Sequence, residues 1–226
     1  MKNNMTVSES VLGWIYLFFQ LFLLTPMLGW LNERLPTPLN NAWLTFVAHC
    51  ISFILLTLIC HNYLGNAANN FSKDAMPCLT ALALGFCIYY TCTNLLTKYM
   101  DSFFPHFFNV NDSNISALLK LDFIPMSIGT IFLVPFIEEV LYRGIIFRGV
   151  YNRNQALGYI LSTLIFSSVH LLGYADSNEP FALFLSFLQY LPAGYTLAWT
   201  YVNSDNIFAP IMLHMIINAM GVYSMR

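Results

Sequence analysis

Long apolar runs separated by short polar stretches set the layout of the chain. The first run, Val11 to Trp30, is long enough to cross a bilayer and carries Trp14 and Trp30 as interface anchors. Its apolar part exceeds a signal-peptide core and no A-x-A-like site follows, so it is expected to stay in the protein. Further spans are expected from Ala42 to Tyr63, Met76 to Leu96, Ile124 to Val150, Ala156 to Leu172, Pro180 to Val202 and Ile207 to Tyr223. The connections are polar: Asn32 to Asn41 carries two prolines, and Gly65 to Asp74 is rich in asparagine. Lys98 to Asp122 is longer, with phenylalanines around Pro105. There Ser113-Asn114 offers an N-cap for a short amphipathic turn bearing Ile115, Leu118 and Leu119, expected to lie on the membrane surface. The pattern predicts an all-α, polytopic membrane helix bundle with about seven transmembrane helices.

Composition agrees with that class. The 226 residues are 58% hydrophobic and only 9% charged, against roughly 25% charged for a soluble domain. A net charge of −2 without any basic cluster excludes a nucleic-acid partner and leaves the lipid bilayer as the expected one. Seven spans put the termini on opposite sides, with Lys2, Lys73, Arg148 and Arg153 on one face and Arg34, Lys98, Lys120 and Arg226 on the other. The Arg148/Arg153 loop, tight against its helices, favours an inward N-terminus. The cysteines (Cys50, Cys60, Cys78, Cys87, Cys92) form no C-x-x-C pair and read as small buried hydrophobes.

One span breaks the apolar pattern. Between Ile131 and Phe147 stand Glu138, Glu139 and Arg143, and each charge at a bilayer centre costs roughly 2.5–3.5 kcal/mol on insertion scales. Helical neighbours lie three or four residues apart, so Glu139 and Arg143 share a face and can neutralise each other. Glu138 is turned about 100° from Glu139 and is left free. Pro135 removes a backbone donor just ahead of them and can open space for water. A buried clasp of all three charges is the structural alternative.

Two more polar pairs occur at four-residue spacing inside apolar runs: Phe166-x-x-x-His170 and His214-x-x-x-Asn218. At about 1.5 Å per residue, Glu138, His170 and His214 fall roughly 15, 21 and 10 Å from their span ends, within one slab in mid-membrane. These groups suit hydrolysis. A carboxylate in a low-dielectric site becomes a competent general base near neutral pH. Glu138 and His170 can then hold and deprotonate a water, while His214 and Asn218 donate to the oxyanion formed on a carbonyl. Phe166, one turn from His170, can hold its ring.

Glu138-Glu139-x-x-x-Arg143, Phe166-x-x-x-His170 and His214-x-x-x-Asn218, in this order on separate apolar helices, resemble the CPBP family of intramembrane proteases. That family includes type II CAAX prenyl endopeptidases and the Abi proteins tied to bacteriocin processing and self-immunity. The resemblance spans roughly Ile124 to Met220. It implies an endopeptidase acting on a membrane protein or peptide in a cell membrane, the cytoplasmic one if bacterial. Catalytic roles would fall to Glu138, His170, His214 and Asn218, with Glu139, Arg143 and Phe166 in support and no cofactor. Residues 1–123 are then N-terminal helices 1–3 plus an interfacial linker, and 124–226 a CPBP-like catalytic core, within a single membrane domain. A zinc site of Glu138, His170 and His214 is the metal alternative. A silent scaffold or bacteriocin self-immunity protein, or a proton-coupled transporter, are the alternatives from other classes.

Overall fold

Helices begin where the chain offers caps. A computed structural model describes residues 5–226; Lys2, weighed in the charge count, lies outside the described residues. Thr6 accepts from the Glu9 backbone N–H while the Glu9 carboxylate returns to the Thr6 backbone, a capping box that starts helix α1, Val7–Asn32. Asn40 caps α2, Asn41–Ile59. The asparagine-rich stretch expected as a loop is a helix instead: α3, His61–Lys73, buries Tyr63, Leu64 and Ala67 on one side. Asparagines at 62, 66, 69 and 70 leave that apolar stripe intact, which the composition alone concealed. Glu9 Oε1 accepts from the Tyr63 N–H at 2.9 Å, so one carboxylate satisfies donors at two helix starts.

Helix α4, Met76–Phe103, runs beyond the expected end at Leu96. Helix α5, Val110–Leu121, starts earlier than expected because Asn109, rather than Ser113 or Asn114, caps it by accepting from the Asn111 and Asp112 backbones. Then follow α6, Phe123–Tyr151, α7, Gln155–Val169, α8, Pro180–Ser204, and α9, Phe208–Ser224. No strand occurs among the described residues. Among the described residues six segments are long and apolar enough to cross a membrane, the one containing α7 reaching Tyr174; α9 is a shorter apolar helix of 17 residues. The expectation of about seven spans therefore becomes six plus this short helix, which at about 1.5 Å per residue is somewhat shorter than a roughly 30 Å hydrocarbon core. The chain is a multi-pass membrane protein.

The α6 span is the enclosed centre: 56% of its most apolar window is buried, against 39% for the next, α8. Its register alternates, with π-helix at Gly129–Leu133, α-helix at Val134–Glu139 and π-helix again at Val140–Phe147. Such π-turns concentrate at functional sites. Around it, α8 packs most extensively against α4 and α7. The α7/α8 contact is close because Gly194 carries no side chain; a Cβ there would lie 3.1 Å from the Thr163 backbone. Arg148, expected on an exposed basic loop, is instead buried within hydrogen-bond reach of the Tyr201 hydroxyl at 3.4 Å. One of the charges favouring an inward N-terminus thus serves packing. All five cysteines are unpaired; Cys60 and Cys78 are buried as expected, whereas Cys87 and Cys92 face outward.

The close helix contact gives a prediction. Gly194→Leu should cost about 1–3 kcal/mol through overpacking, read as a lower thermal midpoint of the protein in detergent. Gly29→Ala, where a Cβ meets nothing within 4 Å, should be neutral or stabilise by up to about 1 kcal/mol.

Candidate functional site

The adjacent glutamates face different surroundings, as their spacing requires. Glu139 is fully buried, and its Oε1 accepts from Arg143 Nη1 at 2.9 Å, one turn away. Arg143 also donates from Nη2 to the Gly194 carbonyl at 3.0 Å and lies 4.4 Å above the Phe166 ring. The same Glu139 oxygen receives His214 Nδ1 at 2.9 Å. This link from α9 to α6 was not foreseen, since no local spacing relates residues 75 positions apart. It orients the His214 ring so that Nε2 points towards Glu138.

Glu138 keeps 17% of its side chain accessible while Glu139 keeps none, so only Glu138 can meet water or substrate. Its Oε2 lies 3.6 Å from His170 Nε2 and 3.9 Å from His214 Nε2. It is buried without a hydrogen-bond partner, and these separations exceed a direct hydrogen bond. The expected convergence of Glu138, His170 and His214 from three helices is therefore present in the geometry.

Local structure also sets the His170 ring. The residue sits just past the end of α7, where carbonyls lack intrahelical donors. Its Nδ1 lies 2.7 Å from the Phe166 carbonyl, and N–H donation there leaves Nε2 as a bare acceptor towards Glu138. Phe166 packs against both imidazoles, with centroids 4.6 Å from His170 and 5.7 Å from His214. Tyr190 of α8, which sequence reasoning passed over, stacks on His170 at 4.3 Å and 22°. Its hydroxyl donates to Asp112 at 3.0 Å and accepts from Asn111 at 2.9 Å, both on α5. The signal was a tyrosine inside an apolar helix, whose hydroxyl needs a partner. Burial holds the Asp112 carboxyl above its ordinary range. Helix α5 is thus more than a surface linker, because its polar start lines the cavity over Glu138.

Asn218 is placed by Pro135. The Val134 N–H bonds back to Gly129 in the π register, and the next residue, Pro135, has no N–H to offer the Thr130 carbonyl. Asn218 Nδ2 fills that need at 2.8 Å. One of its amide hydrogens is committed there, and the group lines the same cavity of about 610 Å³ as Glu138, His170 and His214. Among the described residues no set of three His, Cys, Asp or Glu side chains stands in metal-ligating geometry.

A helical membrane bundle whose central span carries this cluster can be compared with known proteins. Residues 120–220 match the family described as type II CAAX prenyl endopeptidase Rce1-like. A protein of Bacillus subtilis (strain 168) named "Putative membrane peptidase YdiL" is 32% identical over 89 residues, covering 39% of this chain and 32% of that relative. This chain thus matches about a third of its curated relative's length. No solved structure gives a significant match. The similarity to type II CAAX prenyl endopeptidases and to a protein named as a membrane peptidase therefore falls short of the whole chain, and the family match lies on the segment that bears the site.

The buried cluster predicts a stability pattern. Glu139→Ala leaves Arg143 buried and uncompensated and should cost about 3–5 kcal/mol, measured by thermal or denaturant unfolding in detergent. The double variant Glu139→Ala/Arg143→Met should recover most of that loss.

Proposed function

We propose that the protein is an intramembrane endopeptidase that hydrolyses a peptide bond of a membrane protein or peptide, with Glu138 as general base. The observation that carries this reading is the partly accessible Glu138 side chain, whose Oε2 lies 3.6 and 3.9 Å from two imidazole nitrogens at the wall of a cavity. The match of residues 120–220 to type II CAAX prenyl endopeptidases supports it.

The hydrogen-bond network supports the following roles. With Nδ1–H given to Phe166, His170 Nε2 accepts one hydrogen of a water while Glu138 accepts the other. The water oxygen attacks the substrate carbonyl as its proton passes to Glu138, forming the C–O bond. For His214 to serve the oxyanion, its Nε2 must carry a hydrogen while Nδ1 stays on Glu139. His214 Nε2–H and the second Asn218 N–H then stabilise the oxyanion, donors typically worth about 10²–10³ each in rate. Collapse breaks the C–N bond, and Glu138 returns its proton to the leaving amine.

Glu138→Gln and His170→Ala should each abolish cleavage in an inserted, folded protein. Comparing membrane peptides from cells carrying wild type or Glu138→Gln identifies the substrate, and identical peptide sets would sink the hydrolase reading in favour of a silent scaffold. In this mechanism chelators leave the purified protein's activity unchanged. Loss of activity restored by added zinc would transfer Glu138, His170 and His214 to a metal site.

A further inference from the structure

The cavity has a second wall, built outside residues 120–220. Helix α2 packs on α6 through Phe53 and Phe136, whose ring centroids are 4.6 Å apart. One turn before Phe53 on α2, His49 lies against Gly129, and a Cβ on that glycine would come within 3.0 Å of His49 Nδ1. The bare glycine therefore makes the ring's place. Nδ1 is buried there without a hydrogen-bond partner. A proton on it would have no acceptor, so the imidazole carries its hydrogen on Nε2.

His49 lines the same cavity as Glu138, with Thr45 one turn away on the same face of α2. Since Nδ1 faces the glycine, the Nε2 edge is the one that opens on the cavity. From α4 comes Thr93, whose buried hydroxyl makes no hydrogen bond of good geometry, although Tyr89 stands beside it one turn away. The anchor of Asn218, the Thr130 carbonyl, adjoins Gly129, so His49 stands next to the donor side of the site. No lysine or arginine is found among the described residues that line the cavity. The wall offers neutral hydrogen-bonding groups, which suit an uncharged ligand.

A membrane polypeptide must expose its backbone to be cut. An unwound segment carries bare carbonyls and N–H groups, each costing several kcal/mol in an apolar medium unless partnered. We propose that His49, with Thr93, forms a binding subsite for the peptide backbone beside the scissile bond, with His49 Nε2–H donating to a substrate carbonyl. This rests on the hydrolase reading and adds substrate recognition by the N-terminal half of the chain.

The test uses full-length protein in lipid nanodiscs and a synthetic peptide that wild type cleaves and Glu138→Gln spares. His49→Leu should raise KM about tenfold with kcat nearly unchanged, the pattern of lost uniform binding. His49→Gln, whose amide N–H can take the place of Nε2–H, should restore KM to near wild type. Gly129→Ala, which pushes the ring while leaving Glu138 in place, should raise KM by a smaller factor and carries the test if His49→Leu fails to accumulate. A wild-type KM in both His49→Leu and Gly129→Ala overturns the subsite. So does a His49→Gln protein as impaired as His49→Leu. Failure to find any peptide that wild type cleaves and Glu138→Gln spares overturns the hydrolase reading instead, so the two failures are distinguishable.

Discussion

Everything polar in the centre of this bundle depends on one carboxylate oxygen, Glu139 Oε1, which receives both Arg143 and His214 at 2.9 Å. Glu139 and Arg143 are fully excluded from solvent, and charges so placed must be paired; Glu139 Oε2 and Arg143 Nε nonetheless stay without hydrogen-bond partners. The requirement propagates. Arg143 must also reach the Gly194 carbonyl and rest on Phe166, which ties α6 to α8 and α7. His214 must turn its other nitrogen away from Glu139. The only direction left for that nitrogen is towards Glu138, so the structural ion pair aims the ring that faces the accessible acid.

This division between the two glutamates was legible in the sequence because it follows from helical geometry alone. Four residues separate Glu139 from Arg143, and 100° separates it from Glu138. The Phe166/His170 relation was legible for the same reason, as was the common depth of three polar groups on three spans. What the sequence hid was everything decided between helices. Nothing local joins His214 to Glu139, Tyr190 to His170, or Asn218 to Thr130. The helix at His61–Lys73 was hidden differently, since its asparagine content outweighed a narrow apolar stripe that matters only once α1 supplies Glu9 to its start.

Pro135 shows how a local defect becomes a site. Read alone, it weakens a helix and admits water. In the folded chain the π register diverts the Val134 N–H to Gly129, so the missing proline N–H denies the Thr130 carbonyl its π-register donor. In a membrane interior such a carbonyl must be answered, and the Asn218 amide answers it. The cost of the irregular backbone is met by the interaction that fixes Asn218 beside the cavity.

The same irregular segment explains why the two halves of the chain need each other. Gly129 and Thr130 are adjacent in the π-turn: one leaves room for His49 of α2, the other holds Asn218 of α9. A side chain at 129 would press on the first, and a regular helix at 130 would release the second. Residues 120–220, the part shared with a protease family, therefore supply the acid and both facing imidazoles. The preceding helices close the cavity with Thr45, His49 and Thr93 and, through Asn111 and Asp112, brace the tyrosine that stacks on His170. The aligned segment alone would leave Tyr190 without its partners and one side of the cavity open. Recognition and hydrolysis, in the reading proposed here, are thus assigned to different stretches of sequence that meet at a single break in helical register.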